Sequence, residues 1–459
     1  MSLLTEYLQE FGRFQRNARL YLISNALSGI TIGMILVVYN LYLVSLGYKT
    51  DFIGLVLFVG TIGAGIAIFP AGVCVDRFGG KSILIWSSLL IGIAGIGQFL
   101  FRQPLPLLTS VFIAGVGGAF VLVVNAPFLT MHSTPTERSL LFSLNIVLTL
   151  ATTVLGEIIG GALPLWLKAL PALMMPLPPW LSWLLASQSV SRSYQLTLLC
   201  AGLIAVPSLL PLFFMDNDRP ASSSDRALFQ RDRISLVPKV LSTVKSWRLQ
   251  TDWRTTLGNP LIVMVVVQVL VGMGAGLFIP YFNIYFVQHL GASSALFGVI
   301  DGGANAMNAA LTLVAPWLAL RIGKVNTITL TRLLSIPLLL IVGLTNILPL
   351  AALLYLFRQG MMDMPVGILQ VFSMEIVSKQ HRGLANSSYQ AAFQVAGAIT
   401  APVGGLIIAH LGFAPVFIGG AVLYLCAIAL FWGRFGRRGS ISTVGEAGSG
   451  GEENISSST

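Results

Sequence analysis

The two halves of this chain repeat one another at a displacement of 243 to 244 residues. Tyr39-Asn40-Leu41-Tyr42-Leu43-Val44 returns as Phe282-Asn283-Ile284-Tyr285-Phe286-Val287, and Gly54 returns as Gly298. Arg77-Phe78-Gly79 is matched by Arg321-Ile322-Gly323, Arg138 by Arg382, and Gly160-Gly161 by Gly404-Gly405. Each copy contains six apolar stretches of about 20 residues, the length that crosses roughly 30 Å of hydrocarbon. The repeat therefore restricts the fold to two homologous half-bundles in a membrane.

Composition agrees. Hydrophobic residues make up 55% and charged residues 10% of the chain, against about 25% charged in a soluble domain. The spans fall at 18–46, 52–75, 82–101, 106–130, 139–167, 194–215, 259–288, 294–320, 325–345, 348–376, 384–409 and 413–433. The predicted fold is an all-α polytopic membrane protein, twelve transmembrane helices in two pseudo-symmetric six-helix bundles, 18–215 and 259–435. Residues 1–17 read as an interfacial lead-in, 216–258 as a basic, Ser-rich linker with an amphipathic segment, and 436–459 as a disordered tail. The Pro- and Trp-rich stretch 168–192 is too broken to span and is expected at the outer interface.

An even number of spans puts both termini on one side. With the termini inside, the inner segments hold 21 of the 27 Lys and Arg residues and the outer loops 4, which predicts cytoplasmic termini and a plasma-membrane protein. The same asymmetry accounts for the +10 net charge, so no nucleic-acid partner is needed. Cys74, Cys200 and Cys426 lie in or at the end of apolar helices and read as packing residues. The four histidines are scattered over different loops without metal-ligand spacing, so neither a metal nor a cofactor is expected. His132 and His381 read as solvated.

The clearest motif joins spans two and three: Gly72, then Asp76, Arg77, Gly79, Gly80 and Lys81. It resembles the loop signature of the major facilitator superfamily, and with the duplication the resemblance covers about residues 15–435; multidrug-efflux members are the nearest in character. It implies an alternating-access secondary transporter rather than an enzyme. It also implies that Asp76, an anion at a helix C-terminus where the macrodipole disfavours it, latches onto the start of span eleven at Gly383–Ser387 and Arg382. Arg77, Lys81 and the repeat's Arg321 would assist. A plain surface pair of Asp76 with Arg77 or Lys81 is the alternative.

Glu157, Asp301, Arg332, Arg358 and Asp363 lie inside hydrocarbon, where each costs about 2.5–3.5 kcal/mol on insertion scales and so defaults to a cavity or a partner. Burial in an apolar medium disfavours an ionised carboxyl, which suits a proton carrier. Asp301 is the first choice for coupling, with Glu157 and Asp363 as alternatives. The resemblance puts span ten beside the solute path, making Arg358 and Asp363 cavity residues. Five positions apart on a helix, they point about 140° from one another, which argues against a direct pair. Asn40, Tyr42, Asn125, Gln268, Tyr281 and Asn283 are further cavity or gate residues. Gly156-Glu157-Ile158-Ile159-Gly160-Gly161 resembles the end of the family's antiporter motif with Glu in place of Pro. The diglycines Gly160-Gly161 and Gly404-Gly405 read as close helix contacts.

The expected activity is proton-coupled export of a small amphipathic solute by a monomer, because hydrogen-bonding groups in the spans look sparse. Two alternatives stay open: a proton-coupled uptake symporter for an organic anion or nutrient, anchored on Arg358, and a sensor or passive facilitator built on the transporter fold.

Overall fold

The computed structural model describes residues 14–134, 137–178, 181–217, 259–377 and 382–445. The linker beyond 217, most of the N-terminal lead-in and His381 lie outside the described residues, as do the side chains of Asp76, Arg382 and Ser387. No strand occurs among the described residues. Six long helices come from the first copy, α1 (Arg16–Ser45), α2 (Thr50–Phe78), α3 (Gly80–Leu100), α4 (Pro104–Met131), α5 (Arg138–Ala169) and α6 (Ser189–Phe213), with one short helix at Pro171–Met174 between the last two. The second copy gives α7 (Pro260–His289), α8 (Ser294–Ile322), α9 (Lys324–Leu344), α10 in two pieces (Leu348–Asp363 and Val366–Glu375), α11 (Arg382–Leu411) and α12 (Ala414–Gly445). Among the described residues, ten helices are long and apolar enough to cross a membrane. The other two are α8, which carries Asp301, Asn305 and Asn308, and α10, which carries Arg358, Gln359 and Asp363 and is broken.

Three features differ from the sequence expectation. Span ten is not continuous, because Pro365 has no N–H to give and α10 stops at Asp363 before restarting at Val366. The last helix runs on to Gly445, past the compositional shift near Gly439, since adding residues to a formed helix needs no new nucleus. His132 is not simply solvated: its ring bonds Asn17 Nδ2 at 3.0 Å and the Phe128 carbonyl at 2.9 Å.

The repeat is visible in the packing. On α1, a Cβ at Gly29 would overlap Thr152 Oγ1 and press on the Thr149 carbonyl of α5, and one at Gly33 would overlap the Thr153 carbonyl; on α7, a Cβ at Gly272 or Gly276 would overlap the α11 carbonyls of Phe393 or Gly397. Both the glycines and the carbonyls they meet are related by the repeat displacement. Small residues at these positions let the backbones close where lipid supplies no hydrophobic drive. The turn Gly79 (φ 84°) between α2 and α3 likewise recurs as Gly323 (φ 85°) between α8 and α9, a conformation that suits glycine.

The chain forms two compact units: Met1–Arg248 with Pro280–Gly303 and Ala401–His410, and Leu249–Ile279 with Ala304–Thr400 and Leu411–Thr459. The ends of α7, α8 and α11 thus pack in the first unit, beside α1, α2 and α5, and the hydrogen bonds there are twofold. Thr50 donates to the Gly405 carbonyl at 2.8 Å, and its repeat mate Ser294 donates to Gly161, the mate of Gly405, also at 2.8 Å. Asn40 donates to the Pro280 carbonyl at 2.7 Å, and its mate Asn283 donates to Val37 at 3.3 Å. Gly54 and Gly298, one turn beyond Thr50 and Ser294, leave room for the backbones of Ala401-Pro402 and Glu157. We refer to this as the clasped end.

Candidate functional site: a polar cavity in the second unit

A cavity of about 160 Å³ opens among α7, α9, α10, α11 and α12, all within the second unit. Its position follows from the break in α10, which ends a turn of helix at Asp363 and leaves Gln359, Met362 and Val366 on its wall. The apolar part of the lining comes from α7, through Met264, Val271 and Ala275. The polar part includes Arg332 from α9, Arg358, Gln359 and Asp363 from α10, and Tyr424 from α12.

The two α10 charges are joined indirectly. Arg358 donates through Nη1 to Gln359 Oε1 at 2.8 Å, and Gln359 donates through Nε2 to Asp363 Oδ2 at 2.6 Å. One amide therefore bridges two groups that helical geometry points apart. Arg358 is 1% exposed; its guanidinium lies over the Phe278 ring at 5.1 Å, and Nη2 donates to the Tyr424 hydroxyl at 3.4 Å. A cation over an aromatic face is stabilised by the ring quadrupole, more so when desolvated. Asp363 also lies in the field of Arg332, which is buried and donates no side-chain hydrogen bond among the described residues.

Of the residues singled out from the sequence, the cavity brings together Arg332, Arg358, Asp363 and Gln268. Tyr42 is fully buried and donates to the Phe99 carbonyl of α3 at 2.8 Å, which puts it in the α1–α3 contact. Asn125 accepts from Tyr21 at 3.0 Å, joining α4 to α1. Asn40, Asn283 and Tyr281 belong to the clasped end, where Tyr281 donates to the Ala401 carbonyl at 2.6 Å. Glu157 is 1% exposed in the first unit, with its backbone against Gly33 and Gly298. Asp301 is half-buried in the same unit, on α8.

In the loop motif, Gly72 and Gly80 are buried, Arg77 lies over Phe78 at 5.5 Å, and Lys81 bonds the Met215 carbonyl and Asn217 at 3.1 Å. Arg321 stacks on Trp317 at 4.5 Å. The side chains of Asp76 and of Arg382 and Ser387 in its expected partner segment lie outside the described residues. Among the close-contact glycines, a Cβ at Gly160 would meet Met34 Cα at 2.6 Å, and one at Gly161 or Gly405 would overlap the Ser294 or Thr50 carbonyl. Gly404 is buried beside Gly405.

Sequence reasoning passed over Gln359, Tyr389 and Tyr424, and noted Arg332 for its depth alone. Gln359 was findable, since it lies four residues before Asp363, the spacing that puts two side chains on one helix face.

Comparison with known proteins bears on the fold and the family. A bacterial homologue of the iron transporter ferroportin, in an inward-facing state, superposes with a TM-score of 0.68 at 14% identity, covering 94% of this chain and 98% of that one. A bacterial homologue of the human lysosomal transporter Spinster, inward-facing and occupied, gives 0.66 at 14% identity over 93% and 97%. A D-xylose-proton symporter gives 0.63 at 15% identity over 94% and 98%. At such identities the likeness speaks to the fold alone. No curated protein sequence matches the chain. The profile of the Major Facilitator Superfamily matches residues 21–362 and, separately, 264–452. With a duplicated twelve-helix fold and a profile matched along nearly its whole length, the chain belongs to the Major Facilitator Superfamily, and is an integral membrane protein of secondary transport and not an enzyme.

Proposed function

We propose that the chain works by alternating access as a proton-driven carrier of a small polar solute, bound in the cavity of the second unit. The observation that carries this reading is the lining: two guanidiniums, a carboxylate and several amides around one space inside a bundle of apolar helices. Charges at such depth are expensive unless they serve a partner or a path. Export of an amphipathic solute was expected on the premise that hydrogen-bonding groups are sparse. This cavity has Gln268, Gln359, Gln370, Asn386 and Gln390 on its wall, so a polar solute is favoured. Such a lining can replace the hydration that a polar solute gives up.

Asp363 is the proposed coupling acid, because it shares the cavity with Arg332 and Arg358, whereas Glu157 and Asp301 lie in the first unit. The Lys and Arg asymmetry supports cytoplasmic termini in the plasma membrane, which turns the clasped end outward. One chain supplies the whole lining, so a monomer suffices.

Asp363→Asn protein in proteoliposomes should keep exchange of solute at equal concentrations on both sides and lose accumulation under an imposed pH gradient. Undiminished accumulation would move the coupling to Asp301 or Glu157.

A further inference from the structure

Four polar atoms of cavity-lining residues are buried and make no hydrogen bond among the described residues: Nε of Arg332, Nε of Arg358, Oε1 of Gln268 and the hydroxyl of Tyr389. Arg332 is 6% and Tyr389 4% exposed. Buried polar groups are nearly always satisfied, so several orphans around one space point to a molecule that satisfies them. Arg358 has its other two nitrogens on Gln359 and Tyr424 and its guanidinium over the Phe278 ring, whereas Arg332 donates no side-chain hydrogen bond among the described residues. Arg332 is the guanidinium with its donors in reserve, and it replaces Arg358 as the anchor.

Charge sets the class. The charged side chains of the lining are Arg332, Arg358 and Asp363, two cations against one carboxylate, which leaves a net of one positive charge. A buried charge calls for a compensating one, and a guanidinium fork matches the two oxygens of a carboxylate. We infer that the solute is a small monocarboxylate that also carries a hydrogen-bond donor, its carboxylate taken by Arg332 and Tyr389 and its donor by Gln268. This rests on the cavity being the solute site, as proposed above.

A direction of coupling follows. The charged and titratable groups around Asp363 are Arg358 on its own helix, Arg332 on α9 and Tyr424 on α12. An ionised Asp363 and a bound carboxylate repel one another across this small space. A proton on Asp363 therefore favours the anion, and by reciprocity the anion favours the proton. The two are carried together, as in a symporter.

The test uses purified full-length protein in detergent, with thermal unfolding measured against short monocarboxylates bearing a hydroxyl or amide donor and against their primary amides. A ligand that binds only the folded form raises the melting temperature. At least one carboxylate should stabilise the wild type while its amide does not. Its apparent affinity should fall by roughly 30-fold or more in Arg332→Gln, the scale of removing one partner of a buried charge pair. Arg332→Lys, which keeps the charge, guards against a misfolded Arg332→Gln and should retain part of the response. Gln390→Trp, which fills the cavity, should abolish it.

If amides stabilise as well as carboxylates and Gln390→Trp removes both effects, the monocarboxylate assignment is wrong and the cavity stands. If the response survives Gln390→Trp, the cavity is not the solute site and both readings fall. A wild type that answers to no member of either series also overturns the assignment.

Discussion

Gly298→Leu protein is expected to insert and fold but to lose at least about nine-tenths of its transport. The missing side chain at Gly298 is what lets α8 lie against the Glu157 carbonyl and the Gly161 Cα of α5. These are backbone atoms that cannot turn aside. One turn away, Ser294 donates to the Gly161 carbonyl at 2.8 Å, a bond that a wider α8–α5 spacing would break. Overpacking of this kind costs about 1–3 kcal/mol, and each 1.4 kcal/mol is about tenfold in an equilibrium. A carrier that must pass through the clasped state in every cycle slows by the factor by which that state is depopulated.

The repeat sharpens the prediction. Gly54→Leu, on the twofold-related contact with Ala401 and Pro402, should act in the same way. Gly65→Ala, at a position on α2 with nothing within 4 Å of an added Cβ, should not. Solute flux into proteoliposomes, normalised to inserted protein, reads all three. Wild-type flux in Gly298→Leu and Gly54→Leu would mean that the clasp is no part of the transport cycle.

Arg192→Ala should destabilise the first unit by at least about 3 kcal/mol, judged from hydrogen bonds to a charged group at roughly 1.5–3 kcal/mol each. Arg192 is 2% exposed, and no carboxylate pairs with it among the described residues. It is surrounded by carbonyls: Nε donates to Ala186 at 2.9 Å, Nη1 to Leu173 at 3.0 Å and Met175 at 2.7 Å, and Nη2 to Ser187 at 2.9 Å. The Pro-rich connection before α6, whose one short helix is Pro171–Met174, is thereby folded onto the helix end. Gln195 extends the arrangement, accepting from Ala186 N at 2.7 Å and donating to Phe99 and Leu184. Removing the guanidinium takes the donors from all four carbonyls at once, that of Ala186 belonging to a buried residue. Arg192→Lys should recover little, since an ammonium lacks the planar fork that serves several acceptors at once. Thermal unfolding in detergent measures both variants, and an unchanged melting temperature for Arg192→Ala would show that the carbonyls are satisfied by other means.

The spans were legible because the requirement behind them is local: a segment in hydrocarbon must satisfy its own backbone, so length and apolarity suffice to mark it. The break in α10 was not legible, although Pro365 is plain in the sequence. Pro70, Pro127 and Pro316 lie inside unbroken helices. What a proline does inside a membrane helix depends on whether neighbours satisfy the freed carbonyl, and those neighbours come from distant parts of the chain. The site was legible in part for the same reason. The cost of charge in hydrocarbon singled out Arg332, Arg358 and Asp363 one residue at a time, whereas the engagement of Arg358 with Tyr424, 66 residues away, could not be read locally.

By itself the sequence determined that this protein is a duplicated twelve-helix membrane bundle, and it named the intramembrane charges. The repeat, the length of the apolar spans and the cost of charge in lipid are each properties of the chain and its solvent. Only the tertiary structure decided that the Arg358 guanidinium is tied to Gln359 and Tyr424 while that of Arg332 donates no side-chain hydrogen bond among the described residues. It alone also decided that Thr50, Ser294, Asn40 and Asn283 close one end of the bundle in reciprocal pairs. Hydrogen bonds select partners by distance and direction over a few ångströms, and those depend on how each helix is rotated against its neighbours, which packing sets.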